Sequence, residues 1–283
     1  MRWEILGSGG AVTTPRPLCD CALCRAARAG GKDCRLGPAV YLHGAGILFD
    51  TPEEIAAELA RAGVTRLAAC FYSHWHPDHT AGRRIFEANM DFSRDAKAMG
   101  VLRRTEVYVP DFVRAPMERM MDQWNQLERF CSMGMIGLHT LEPGQSAQVG
   151  DARVTPVQLA ESYVAGYIVE EGGKRALVLM DELFGWQPDL QGRFDLVILP
   201  IGYFPRDPET GAQRWDPANP ICQSEANFEE SCRILAQISH GKAVFMHVEE
   251  VDGLDHDTLC RYVALAAQGR DWAVAYDGMR VEV

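Results

Sequence analysis

The chain is poor in positive charge and without a long apolar run, and each shortage removes a class of function. Lysine and arginine total 28 against 39 acidic residues, a formal net charge of -11 over 283 residues. An extended nucleic-acid backbone is gripped by a basic stripe that displaces counterions, and the local pair Arg103-Arg104 is too small to supply one. No apolar stretch approaches the ~20 residues that a transmembrane helix needs. Neither nucleic acid nor a membrane is therefore expected as a partner. The opening Met1-Arg2-Trp3-Glu4 runs straight into a strand-like segment, unlike a secretory leader, so a cytoplasmic location with reduced cysteines is the expectation. Internal repeats and low-complexity linkers are lacking too. A hydrophobic fraction of 47% suffices to bury one large core, and a single domain over residues 1–283 is expected.

Only eight histidines occur, yet three of them fall in His74-Trp75-His76-Pro77-Asp78-His79, directly after the apolar run ending Cys70-Phe71-Tyr72-Ser73. His74 and His76 are two apart and can point to the same side of an extended segment, while Asp78 and His79 follow the turn that Pro77 forces. One metal ion suits the first pair and a second ion the last pair. Two further strands end in a ligand type. Residues 176–180 are apolar and stop at Asp181-Glu182, and residues 243–246 stop at His247. Loops at strand ends are where rigid scaffolds place reactive groups, although an aspartate there is often only a turn or helix cap.

Cysteine is concentrated as well. Cys19-Asp20-Cys21-Ala22-Leu23-Cys24 packs three thiols into six residues after the opening strand and the Gly7-Ser8-Gly9-Gly10 turn. Thiolates this close are usually ligands of a structural zinc; the alternatives are a disulfide plus a free thiol, or three unpaired cysteines. Cys34, Glu250 and His256 are candidates for a fourth ligand, and the sequence does not choose among them. The zinc loop is expected near residues 19–34.

The H-x-H-x-D-H run, with a strand before it and Thr80-Ala81-Gly82 after it, resembles the signature of the metallo-β-lactamase superfamily. That resemblance implies an α/β fold, the αββα sandwich of two mixed sheets flanked by helices, with two divalent metals at one edge. Joined to the C-x-C-x-x-C loop, it resembles the branch containing phosphoribosyl cyclic phosphodiesterase and, more distantly, the pyrroloquinoline quinone biosynthesis protein B. The similarity runs from Leu6–Gly10 through Thr155-Pro156-Val157, Gly166-Tyr167-Ile168, Leu179-Met180-Asp181 and Val244–His247 to Asp277-Gly278-Met279. By resemblance, Asp181 is the bridging aspartate and His247 the last ligand of the second metal.

Three positions depart from the branch. Where it carries imidazoles, this chain has Glu161 in Leu159-Ala160-Glu161-Ser162, Glu225 after Ser224, and Glu250 three residues beyond His247. Carboxylate for imidazole adds charge and hardness, shifting preference toward manganese or iron without excluding zinc. An extra anion beside the metals also opposes a phosphate dianion.

Outside these motifs, residues 46–50, 66–72 and 105–109 read as strands and residues 52–60 as a helix with proline and acids in its first turn. A helical insertion is expected near residues 111–139, with Met117, Met120, Met121, Trp124, Leu127 and Phe130 recurring at three- and four-residue steps. That stripe suits core packing, a lid over the metals or a homodimer surface. Tyr203-Phe204-Pro205-Arg206 is a candidate pocket wall.

The resulting expectation is a dinuclear metallohydrolase acting on a small, phosphorylated substrate. His74, His76 and Glu161 would hold one zinc, manganese or iron ion, and Asp78, His79 and His247 the other, with Asp181 bridging. Water acidified to a pKa of about 7 would be the nucleophile, with Asp78 as an alternative orienting group. Phosphodiesters or cyclic phosphodiesters come first by resemblance, then other esters and amides; an iron-dependent oxidative enzyme of cofactor biosynthesis is the alternative class.

Overall fold

In the computed structural model, which describes residues 1–93, 95 and 99–283, the short apolar segments pair into two seven-stranded sheets. The first half of the chain supplies β1 (Arg2–Gly7), β2 (Ala39–Leu42), β3 (Ile47–Phe49), β4 (Ala69–Phe71), a small hairpin of β5 (Met90–Asp91) and β6 (Gly100–Val101), then β7 (Thr105–Pro110) and β8 (Ile136–Leu141). The second half supplies β9 (Ala147–Val149), β10 (Ala152–Gln158), β11 (Ala165–Glu171), β12 (Lys174–Val178), β13 (Phe194–Pro200), β14 (His240–Met246) and β15 (Asp271–Val274). Finally β16 (Met279–Glu282) crosses back to pair antiparallel with β1. One sheet has the order β16-β1-β2-β3-β4-β7-β8 and the other β15-β14-β13-β12-β11-β10-β9. Both are antiparallel on one side and parallel on the other: β3-β4-β7-β8 and β12-β13-β14-β15 run parallel. These are the two mixed sheets expected from the resemblance.

Alternation along the central strands decides what each face covers. Ala176, Val178, Leu196, Ile198, Val244 and Met246 point into the layer between the sheets, while Leu177, Val197, Leu199, Ala243 and Phe245 face a second apolar cluster. Between the sheets Tyr167 packs against Phe49 and Phe71, each 5.4 Å away by ring centroid, and donates its hydroxyl hydrogen to the Tyr72 carbonyl. On the outer face, α6 (Phe228–Ala236) and α7 (His256–Ala267) bring Ile234, Leu235, Leu259 and Val263 onto the second cluster. Both helices begin where a side chain accepts from the first turn, Asn227 from the Glu230 amide and Asp255 from that of Thr258.

The helical insertion differs from its expected form. Instead of one helix through residues 116–130, α4 (Asp111–Arg119) and α5 (Gln123–Ser132) are separated where Met121 and Asp122 take left-handed backbone angles, φ 54° and 55°. The break interrupts the stripe: Met117, Trp124, Leu127 and Phe130 are buried, whereas Met120 and Met121 are exposed. Its last residues, 136–139, lie in the edge strand β8. α5 braces the histidine loop, because the Gln123 side chain donates to the Trp75 carbonyl at 2.7 Å.

Asp277, just before β16, ties the two ends of the chain. Its carboxylate accepts from the Ser8 amide (2.9 Å), the Ser8 hydroxyl (2.8 Å) and the Leu36 amide (3.0 Å), and pairs with Arg61 at 3.2 Å. Asp277→Ala leaves two backbone amides without acceptors and is expected to cost roughly 2–4 kcal/mol, read as a lower urea midpoint at unchanged slope. An unchanged midpoint would show that water replaces the carboxylate.

Candidate metal centre

The parallel strands of both sheets end on one side of the sandwich, and their carboxyl ends carry the ligand types. β3 delivers Asp50, β4 delivers Ser73 and His74, β12 leads to Asp181, and β14 ends immediately before His247. Asp50 is fully buried at φ 63°, a conformation most side chains avoid. In that posture it accepts from the Ser73 amide (2.7 Å) and hydroxyl (2.6 Å), and one oxygen lies 2.7 Å from His79 Nδ1. With Nδ1 held by Asp50, His79 Nε2 faces the centre. Pro77 opens α3 (Pro77–Thr80), a single turn presenting Asp78 and His79, and the Thr80 hydroxyl closes the loop by donating to the His76 carbonyl at 2.9 Å. Gly82 is required behind it, since a Cβ there would lie 2.0 Å from the Pro52 carbonyl oxygen.

Two donor sets result, His74 with His76 and Asp181, and Asp78 with His79 and His247; within each, the candidate ligand atoms lie within 4.8 Å of one another. Asp181 stands between them. Its Oδ2 is 3.6 Å from His74 Nε2, 3.7 Å from His79 Nε2 and 3.5 Å from His247 Nε2. His247 adopts φ 54° and has its Nδ1 3.2 Å from Glu249 Oε1. Gly10 makes room for that carboxylate, because a Cβ there would sit 2.2 Å from Oε1.

These residues fit divalent ions. His74 Nε2 is buried without a hydrogen-bond partner, an arrangement that costs free energy unless something is ligated there. Burial, reinforced by His79 and His76, pushes His74 well below the usual imidazole range, so it is neutral and offers a lone pair. For His79 burial alone would act in the same direction, but Asp78 and Asp50 outweigh it and push the group up to about 10. His247 is likewise raised against its own burial, chiefly by Asp181 and then by Asp78 and Glu249. Protons on those two rings must leave when a metal enters.

A cavity of about 290 Å³ opens over both sets. Its floor holds His76, Asp78, Asp181 and His247; Leu183, Tyr203, Trp215 and Val251 form apolar walls, with Glu182, Glu225 and Glu249 among them. Burial, and then the neighbouring Glu225 and Asp181, push the Glu182 carboxyl above its ordinary range. Across the molecule's N-terminal loop, Cys19, Cys21, Cys24 and Glu250 form a third group of donors within 4.8 Å. Cys24 Sγ is 3.3 Å from Glu250 Oε1, and Arg16 lies 3.6 Å from the other oxygen. All nine cysteines are free.

Residues 46–248, more than half of the chain, match the beta-lactamase superfamily domain. The chain belongs to the metallo-β-lactamase superfamily. Among solved structures it is similar to a diphosphatase of the PhnP family, at 22% identity and TM-score 0.71 over 100% of this chain and 97% of that one. Zinc-bound PqqB from Methylobacterium extorquens is 18% identical with TM-score 0.72, covering 100% of both chains. CmlA, a diiron β-hydroxylase from Streptomyces venezuelae, is 12% identical with TM-score 0.52 over 88% of this chain and 53% of that one. Among curated proteins none matches the chain in sequence.

Against this superfamily frame the three substituted glutamates have three different fates. Glu161, expected on the first metal, is exposed and outside both donor sets. The β10–β11 turn closes on itself through Leu159 N to Val164 O (2.9 Å) and Val164 N to Glu161 O (3.0 Å), which leaves the side chain in solvent. What that turn contributes is Tyr163, whose ring centroid is 6.1 Å from that of His76. Glu225 lines the cavity beside Glu182, and Glu250 joins the cysteines. Cys34 and His256 stay outside the cysteine group; His256 Nε2 instead lies 3.3 Å from Cys260 Sγ. Arg206 is exposed and does not line the cavity, whereas Tyr203 does.

Sequence reasoning passed over Asp50, Ser73, Glu249 and Tyr163. Asp50 had a usable signal, since it ends an apolar strand just as Asp181 does; the others are recognisable only by contact. Glu161→Gln is expected to retain the full metal content of the parent chain. Asp181→Ala should lose metal from both donor sets, and Glu250→Gln only from the cysteine group, as read by elemental analysis after dialysis. Depletion in Glu161→Gln would reinstate it as a ligand.

Proposed function

We propose that this chain is a dinuclear metal-dependent hydrolase whose substrate is a phosphodiester. The observation that carries the reading is Asp181 Oδ2, set 3.5–3.7 Å from imidazoles of both donor sets, a bridging position. His74, His76 and Asp181 would hold one ion, zinc, manganese or iron, and Asp78, His79 and His247 the other. Such ions supply Lewis acidity and acidify water to near neutral pH. Asp50 and Glu249 fix the ring planes of His79 and His247, so the ligand directions are set before substrate arrives. Leu183, Tyr203 and Trp215 give the cavity apolar walls. The cysteine group with Glu250 would hold a structural zinc.

Charge narrows the ester class. The cavity lining contains five carboxylates and, among the described residues, neither lysine nor arginine. With the two ions on the floor already shared with Asp78 and Asp181, the wall offers a monoester dianion no cationic side chain, whereas a diester carries a single charge. The similarity to a diphosphatase of the PhnP family supports phosphoryl chemistry and the absence of basic residues favours the diester.

Metal-loaded protein is expected to hydrolyse bis(p-nitrophenyl) phosphate under strict anaerobiosis, and Asp181→Ala to lower kcat/KM by at least about a hundredfold. Turnover that requires and consumes oxygen would replace hydrolysis with oxidation, the chemistry in the name of the diiron β-hydroxylase.

A further inference from the structure

Within the cavity, the two ends differ in chemistry. The floor carries His76, Asp78, Asp181 and His247, and behind Asp181 the fully buried His74 Nε2 has no hydrogen-bond partner, which marks where metal chemistry belongs. Of the five carboxylates, Asp78 and Asp181 belong to the donor sets, and Glu249 is engaged by His247 Nδ1 and the Ala11 amide. Glu182 and Glu225 are left on the wall, where none of the described lining residues is a lysine or arginine. Beside them stand Tyr203 and Trp215, their ring centroids 5.0 Å apart and tilted by 50°. Trp215 is held in place because its Nε1 donates to Asp252 Oδ1 at 2.9 Å. Ile221 and Val251 complete an apolar surround.

A partly buried carboxyl pair without a cationic partner is unfavourable in an apolar wall, and an arriving cation offsets that cost. Aromatic faces in the same wall attract an organic cation through their quadrupoles, and do so best where water is excluded. An anionic or strongly hydrated group gains from neither.

We infer that the substrate is a zwitterionic phosphodiester, one of whose alcohols carries an organic ammonium seated between Glu182 and Glu225 against Tyr203 and Trp215. This rests on the hydrolase reading for the phosphate end, while the ammonium end stands on the cavity wall. Glu182 and Glu225 are thereby specificity-determining residues. In the reaction, water adds across the ester: the phosphorus–oxygen bond to the leaving alcohol breaks, one forms to the water oxygen, one water proton passes to the leaving oxygen and the other goes with the phosphate monoester, from which it ionises.

Two chromogenic esters of equal shape test the inference, p-nitrophenyl phosphocholine and p-nitrophenyl 3,3-dimethylbutyl phosphate, in which carbon replaces the charged nitrogen. The metal-loaded full chain is expected to favour the cationic ester in kcat/KM by about tenfold. Glu225→Gln and Glu182→Gln should each bring that ratio toward one. Calorimetry supplies a readout independent of turnover: choline alone should bind the parent chain at least about tenfold more tightly than 3,3-dimethylbutan-1-ol. Equal kcat/KM for both esters, with choline no tighter than the alcohol, overturns the ammonium site and leaves the hydrolase standing. Selective choline binding with neither ester hydrolysed supports the ammonium site and overturns phosphodiester hydrolysis. Loss of both preferences, with no hydrolysis, overturns both.

Discussion

The buried carboxylate of Asp50 is the constraint on which the centre depends. It ends one parallel strand, accepts the amide and hydroxyl of Ser73 at the end of the next, and orients His79 from behind. A carboxylate wholly removed from water must have its oxygens occupied, and here the occupants are the loop that carries the ligands. Its left-handed backbone, φ 63°, is sustained by those bonds. The strand ends can meet only because the layer beneath them is tightly filled: Phe49, Phe71 and Tyr167 bridge the sheets directly below the histidine loop.

Charge is distributed unevenly around that centre. The donor sets place Asp78 and Asp181 among four imidazoles, so opposite charges offset one another at the floor even before a metal enters. The wall above has no such balance, since Glu182 and Glu225 line it and, among the described residues, no lysine or arginine does. A net charge of -11 makes the surroundings reinforce the same sign.

The cysteine group has a mechanical relation to the centre. Glu250 reaches Cys24 from a segment that begins at His247 and includes Glu249, the residue beside His247 Nδ1. One short loop thus carries a ligand of the candidate metal pair, the group that orients it, and the anchor to the N-terminal cysteines. Asp277 adds a second tie between the same ends of the chain through Ser8 and Leu36. Ligand geometry at His247 is consequently braced on both sides, as a preorganised site requires.

What the sequence alone determined is what short-range chemistry encodes. Ligand types at two- and three-residue spacing identified the His74–His79 loop, the thiol cluster announced itself by density, and apolar runs ending in Asp181 and His247 marked strand ends. Resemblance supplied the two mixed sheets. Only the tertiary structure decided which of the substituted glutamates does what. Glu161, Glu225 and Glu250 look alike in sequence, yet a self-closing turn exposes the first, the cavity wall takes the second and the cysteines take the third. Likewise the helical periodicity through residues 116–130 did not reveal the left-handed break at Met121-Asp122. Periodicity reports which residues prefer burial; the fate of a single carboxylate depends on which distant atoms the packed sheets bring within about 3 Å of it.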